Sequence, residues 1–331
     1  MRVILDASLL VSTQVERNPL ALSALFNLFL VKTCHTIEID PPDAPEFDAW
    51  RSTLREPDWK EVELVLDESI QRQLRDPPTN VVRIANVPEV EWVDDVPHFP
   101  LQEAISLLHK PLRVLLEGVN DEKFLQSAVP HFYRARLEEW SKREFLQFEF
   151  RGGLPNLEHT LGQELQVRER RLRLFVMIDS DARKRGEPSS KSKDVARLCK
   201  RGRIAHHQLG RRAIENYLPE PALEQWLKRT HAREFETTWL PRLRAFRALS
   251  EEQRHHYNMK AGLNKDRDGV GLADIFEALI AQKPDDARLL DGGFGEVAKS
   301  FHEDTIPEAW RIKDGQTDEL MNLFEKMLRA A

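Results

Sequence analysis

An α/β fold built round a mostly parallel sheet is what this sequence predicts, and three observations predict it. Leu112 to Leu116 is an apolar run of buried-strand length, closed by Glu117 and Gly118, after which Asp121 to Phe124 can begin a helix. Leu172 to Ile178 is a second such run, and it also ends in carboxylates, Asp179 and Asp181. Strand and helix patterns alternate from residue 111 to 219, and beyond Pro219 the pattern turns helical. The 331-residue length accommodates one large domain or two to three smaller ones. The expected divisions are an N-terminal α/β unit for docking or regulation (1–108), a central α/β core (109–219) and a helical C-terminal unit (220–331).

In chain order, Val3 to Leu5 reads as a strand with Asp6 at its end, and Leu20 to Val31 as a buried helix. That helix is too short to span a bilayer, and Asp6, Glu16 and Arg17 before it do not suit a signal peptide. Prolines at 41, 42 and 45, then at 57, 77, 78, 88, 97 and 100, break the rest of this unit into irregular strands and helices. A helix within His98 to Lys110 leads to the first central strand. After Glu117 the helix from Asp121 is interrupted at Pro130 and resumes through Trp140. Phe145 to Phe150 alternates as a strand does, and Pro155 marks the start of a helix over Asn156 to Arg168. Past Asp181 comes a basic loop, Arg183 to Lys193, then a helix from Asp194 to Lys200 and a short strand from Ile204 to Leu209. The C-terminal third predicts helices over Pro221 to His231, Glu234 to Leu249, Leu272 to Gln282 and Asp318 to Arg329.

Net charge is −6, so no overall basic field draws the molecule to nucleic acid. Between Arg168 and Arg212, however, fifteen Lys or Arg face five Asp or Glu, a local excess of ten positive charges. A basic surface beside acidic strand ends suits a phosphodiester substrate. The two cysteines, Cys34 and Cys199, have no metal-binding spacing, and free thiols in a reducing cytoplasm are the simplest reading.

Two strands of one sheet ending in Glu117 and in Asp179-x-Asp181 would gather like charges, which is costly unless a cation neutralises them. Hard divalent cations prefer carboxylate oxygens, so a magnesium site is expected. Glu117-Gly118, with Asp121 four residues on, and Asp179-x-Asp181 stand 62 residues apart, and together they resemble the topoisomerase–primase (TOPRIM) domain. Arg212-Ala-Ile-Glu-Asn-Tyr-Leu218 resembles the segment carrying the third acidic position in nucleases of the overcoming-lysogenization-defect (OLD) type. It is also similar to the stand-alone TOPRIM subunits of two-component anti-phage systems such as PARIS. The resemblance covers about Leu112 to Leu218, a third of the chain.

What the resemblance implies is a Rossmann-like TOPRIM core and cleavage of nucleic-acid phosphodiesters with Mg²⁺ or Mn²⁺, two ions in all. Glu117 would bind metal or act as general acid or base. Asp179 and Asp181 would share one ion and Glu215 would complete a second site, with Asp121 an outer or second-metal ligand. A lysine beyond the third acidic element, best matched by Lys260 with Lys265 in reserve, would stabilise charge on the phosphate. Arg183, Lys184, Arg185, Lys191, Lys193, Arg211 and Arg212 are the expected nucleic-acid contacts. Because this sequence shows no ATPase motif, a separate ATPase subunit is the expected partner; a homo-oligomer is left open, and no membrane is expected.

Other motifs are set aside on chemistry. Asn264 to Gly269 imitates half of a calcium loop, but Ile275 stands where a bidentate Glu is required. Asp291-Gly-Gly-Phe-Gly295 lacks the Lys-Ser/Thr of a phosphate-binding loop. Tyr217 reads as a core aromatic rather than a nucleophile. Asp6, with Glu38, Asp40, Asp67, Asp94 and Asp95, is similar to the opening of a PIN-type nuclease, though Asp after a first strand is common to α/β folds. The rival functions are a non-catalytic scaffold binding DNA or a partner, and a topoisomerase- or primase-like subunit.

Overall fold

The computed structural model of the chain describes residues 1–12, 15–16, 18, 20–31, 34–268, 271–303 and 306–331. Two sheets, both mostly parallel, carry the α/β character. The first contains β1 (Arg2–Asp6), β2 (Thr36–Asp40), β3 (Val81–Ile84), β4 (Glu91–Val93) and β5 (Val96–Phe99), in the order β2-β1-β3-β5-β4. Only β4 and β5 run antiparallel. Their two-residue loop, Asp94-Asp95, holds both residues at positive φ, the conformation that matches the twist of a tight hairpin. Four helices pack with this sheet: α1 (Leu20–Val31), α2 (Pro45–Thr53), α3 (Glu56–Arg75) and α4 (Leu101–His109).

The second sheet holds β6 (Leu112–Leu116), β7 (Leu146–Phe150), β8 (Leu174–Ile178) and β9 (Ala205–Gln208), all parallel, in the order β7-β6-β8-β9. Helices α5 (Val119–Ala128) and α6 (His131–Lys142) connect β6 to β7, α7 (Leu154–Glu164) connects β7 to β8, and α8 (Ser190–Gly202) connects β8 to β9. The chain thus leaves β6 towards one edge and returns on its other side for β8. A reversal of this kind opens a crevice at the carboxyl ends of the two central strands, the place where open α/β sheets bind ligands.

Both faces of this sheet are covered, which is why its strands read as unbroken apolar runs. Leu115, Val176 and Ile178 face Leu157 and Leu161 of α7 and Val195 and Cys199 of α8. Alternate residues Val114, Leu116, Phe175 and Met177 point the other way, into a core that continues through the C-terminal helices to Ala331. No break in that core falls at residue 219. The buried C-terminal helix, Thr317–Ala330, places Leu320, Leu323, Phe324 and Met327 in it.

Several boundaries differ from the sequence reading for physical reasons. β8 begins at Leu174, not Leu172, because residues 168–173 form a 3-10 turn. Leu172 belongs to the N-terminal core, and the Arg173 guanidinium donates to the carbonyls of Lys110 and Ala331. The helix expected over 234–249 is a π turn, Phe235–Trp239, followed by an α-helix, Leu240–Arg247. Pro241 cannot continue an α-helix already under way, since its ring would meet the carbonyl four residues back. Likewise only Glu277–Gln282 of the segment from Leu272 is α-helical. Gly262–Asp268 is helix where the calcium-loop imitation falls, and Gly269 of that motif lies outside the described residues. Arg17, counted against a signal peptide, lies outside them too. Among the described residues no helix is long and apolar enough to cross a membrane. The cysteines are both free and buried.

Candidate functional site

Glu117 leaves the end of β6 and Asp179 leaves the end of β8, so register alone brings these two acids to the crevice between adjacent strands. The Asp179 backbone N–H donates to Glu117 Oε1 at 3.1 Å, joining the two strand ends directly. Asp121 occupies the third position of α5 and turns back: its Oδ2 accepts from the N–H groups of Glu117 and Gly118 at 2.9 and 3.0 Å. It therefore shapes the β6–α5 turn as a helix-capping carboxylate, and one of its oxygens is engaged in that work.

Glu215 sits on a 3-10 turn, Ile214–Tyr217, and is 3 % exposed. Asn216 beside it anchors the turn. Its Oδ1 accepts from the Ala213 N–H, and its amide donates to the carbonyls of Arg254 and Tyr257. Tyr217 is fully buried, with its hydroxyl accepting from the Arg211 N–H, so it is a core residue and not an exposed nucleophile. Lys260 approaches from the C-terminal region and places Nζ 3.0 Å from Glu215 Oε1. Lys265, the reserve candidate, lies exposed on the helix Gly262–Asp268, with no ion pair to these acids among the described residues.

Asp181 behaves differently from the expectation. Alternation of side chains holds only in extended backbone, and the chain has left it: Asp181 adopts a left-handed conformation, φ 48°. Its N–H donates to the Arg212 carbonyl at 2.8 Å and its side chain is open to solvent. Ser180 and Ser192 hold the same loop through the carbonyls of Arg211 and Asp179, both at 2.6 Å. Asp181 is exposed beside the cluster, and its charge still raises the Glu117 and Asp179 carboxyls.

The electrostatics record the crowding. Burial, then the charges of Asp121 and Asp181, push the Glu117 carboxyl up to about 8, against the opposing pull of the Asp179 N–H and Lys260. Burial raises Asp121 to about 6, with the Gly118 and Glu117 N–H groups opposing and Glu215 adding repulsion. Asp179 is held well above the usual range by burial and by Asp121, Glu117, Glu215 and Asp181. Burial works against the charge on Lys260, yet Glu215 keeps its pKa above the ordinary lysine value. One polar atom is left over: Asp179 Oδ1 is buried and has no hydrogen-bond partner.

Among the described residues, no group of three or more His, Cys, Asp or Glu is set to hold a metal ion as the side chains stand. The reason is visible in the contacts above. Protein donors engage an oxygen of Glu117, of Asp121 and of Glu215, and only Asp179 retains an unpartnered buried oxygen. The donor chemistry, carboxylates without sulfur or imidazole, fits a hard cation, and the orphaned Asp179 Oδ1 is the atom that such a cation would satisfy.

A segment that sequence reasoning set aside is what positions Lys260. In the loop Asp291–Gly295, the Phe294 N–H donates to the Met259 carbonyl at 2.6 Å and the Gly295 N–H to the Lys260 carbonyl at 3.2 Å. Gly293 lies so close that an added Cβ would stand 2.3 Å from the Lys260 carbonyl carbon. Gly293 is thus required for the close approach of the two backbones.

Of the expected nucleic-acid contacts, Arg185, Lys191 and Lys193 are exposed and Arg183 and Lys184 half-buried. Lys184 bridges Glu187 at 3.3 Å and Asp274 at 3.1 Å, and Lys191 stands 3.7 Å from Glu158. Arg183, Arg185 and Lys193 have no ion pair among the described residues. Arg211 and Arg212 require correction. Arg211 is buried against Asp314 and the Asn216 carbonyl, and Arg212 forms a two-pronged pair with Asp266 at 2.6 and 2.7 Å. Their guanidinium groups are committed to this chain's own acids. In the N-terminal unit, Arg83 pairs with both Asp6 and Asp40, one positive charge shared between the two acids at those strand ends.

Comparison with protein-family models, with curated proteins and with solved structures finds no match to this chain.

Proposed function

We propose that the chain is a metal-dependent TOPRIM endonuclease cleaving DNA or RNA, the effector of a bacterial anti-phage system governed by a separate ATPase subunit. The observation that carries this reading is the convergence of Glu117, Asp179 and Glu215, from three distant segments, on the topological switch of a parallel sheet, with Asp179 Oδ1 left buried and unpartnered. Glu117, Asp179, Asp181 and Glu215 would hold the cations, with Asp121 behind them. Bound Mg²⁺ or Mn²⁺ would supply charge stabilisation at the phosphoryl oxygens and activate water for in-line attack. Glu117 would bind metal or exchange a proton with a reacting oxygen. Lys260, released from Glu215, would meet the charge developing on the phosphate. Arg183, Arg185 and Lys193 would hold the nucleic-acid backbone without reading its sequence.

A second reading follows from the Lys260–Glu215 ion pair, which neutralises part of the cluster without any metal. On it, the fold is a non-catalytic scaffold that binds nucleic acid or a partner. One experiment separates the two: incubation of plasmid and of tRNA with the purified chain in Mg²⁺, Mn²⁺ or chelator. The nuclease reading expects cation-dependent cutting that Glu117→Ala and Asp179→Ala each reduce at least ~100-fold, with unchanged thermal melting. Full cutting by either variant removes the site; nucleic-acid binding with no cutting in any cation favours the scaffold. Purification with its genomic neighbours should bring down an ATPase, and its absence counts against the two-component arrangement.

A further inference from the structure

A second cleft, of about 300 Å³, opens where three parts of the chain meet. Thr36 on β2 and Arg72 and Arg75 near the end of α3 form one wall, Arg136 and Trp140 on α6 another, and Arg329 on the last helix the third. This cleft lies away from the acids. The Phe145 N–H donates to the Trp140 carbonyl and the Leu112 N–H to the Phe145 carbonyl, which puts this end of α6 at the amino ends of β6 and β7, opposite Glu117.

Four guanidinium groups line it against two carboxylates, Asp76 and Glu139. Arg72 pairs with Glu68, Arg136 with Asp76 at 2.8 Å, and Arg329 with Glu325. Arg75 has no carboxylate partner among the described residues and donates only to the Gln71 carbonyl at 3.3 Å. Thr36 is 2 % exposed, and its hydroxyl has no hydrogen-bond partner. The Nε of Arg329 is buried and unpartnered in the same way. Buried polar groups in a folded chain are nearly always satisfied, so a hydroxyl and a guanidinium N–H left over on one cleft point to a ligand that supplies an anion. Guanidinium groups match the oxygens of phosphate with paired donors, and Pro78, Trp140 and Leu328 add an apolar flank for an organic body.

We propose that this cleft binds a phosphate monoester of mononucleotide size, its phosphate on Arg75, Arg329 and the Thr36 hydroxyl and its base or similar body against the apolar flank. The volume is at the lower end for small-molecule pockets and leaves no room for a second nucleotide. Since the walls come from the N-terminal sheet, the central unit and the last helix, occupancy favours the arrangement that holds them together, and the site is independent of the nuclease reading.

Calorimetric titration of the full chain with AMP, adenosine and inorganic phosphate tests it. AMP should bind saturably, phosphate more weakly and adenosine not at all at millimolar concentration. Arg75→Ala and Thr36→Val should each weaken AMP at least ~10-fold, since each removes one charged or buried hydrogen bond to the phosphate. Thr36→Val should leave the melting temperature of the ligand-free chain undiminished, and Glu117→Ala should leave AMP affinity unchanged. Absence of saturable AMP and phosphate binding, AMP affinity undiminished from the parent chain in either cleft variant, adenosine binding as tightly as AMP, or loss of AMP binding in Glu117→Ala would each overturn the proposal.

Discussion

Glu117 governs the pH response expected of the metal-free chain. Its carboxyl sits near 8 in the fold against an ordinary 4.5, so across that interval the folded state retains a proton that the unfolded state has lost. The contribution of this group to stability therefore falls as pH rises from about 4.5 to about 8. Asp121, at about 6 against 3.8, contributes the same sign over a lower and narrower range. The buried Met1 amino group, lowered to about 5, and His255, lowered to about 4, contribute with the opposite sign, so the test is a difference: between about pH 4.5 and 8 the melting temperature of Glu117→Gln, which cannot ionise, should gain relative to the parent chain as pH rises. An unaltered profile in that variant would take Glu117 out of the account. Mg²⁺ should raise the melting temperature most at the alkaline end, where the acids are charged and repel, and chelator should reverse the gain. At this scale the sequence disclosed which groups are acidic and where strands end. It did not disclose direction: Asp121 turned to cap its own helix, Asp181 left the strand geometry, and Arg211 and Arg212 turned inward to Asp314 and Asp266.

Among elements, the loop Asp291–Gly295 is the support on which Lys260 rests. Ala at Gly293 would drive a methyl group into the Lys260 backbone, and overpacking of this kind costs about 1–3 kcal/mol. Gly271→Ala is the comparison, because Gly271 has a positive φ but open space around it. It carries only backbone strain, about 1–2 kcal/mol. Both variants should unfold at lower urea. On the proposed nuclease reading, only Gly293→Ala should also slow cleavage per folded molecule, because it moves Lys260; equal slowing by the two would show that the loop has no special part. The apolar runs of β6 and β8 made those strands legible, since a sheet covered on both faces needs continuous apolar sequence. The π turn at Phe235–Trp239 and the 3-10 turns at 168–173 and 214–217 left no periodic trace, because their positions answer to packing and to Pro241.

For the whole molecule, the shared core decides which pieces can stand alone. One face of the central sheet is covered by α7 and α8, but the other opens into a cluster reaching the last helix. A fragment of residues 109–219 would keep α5 and α6 on the face of Val114, Leu116, Phe175 and Met177 but lose the C-terminal helices that complete that core. It should therefore show poor amide dispersion and no cooperative melting, while the full chain melts cooperatively. A fragment that melts sharply would contradict the shared core. Within the full chain, Leu323→Ala should cost about 2–5 kcal/mol, measured by urea titration, even though it lies over a hundred residues from β9.

By itself the sequence determined the α/β character, the parallel central strands and the acids at their ends, because strand periodicity and chain termination are local properties. Only the tertiary structure decided that β8 returns beside β6 to bring Glu117 next to Asp179, that Lys260 closes on Glu215 across 45 residues, and that Thr36, Arg75 and Arg329 share a cleft. Those meetings are set by strand order and by which faces must be buried, and neither quantity is carried by any short stretch of chain.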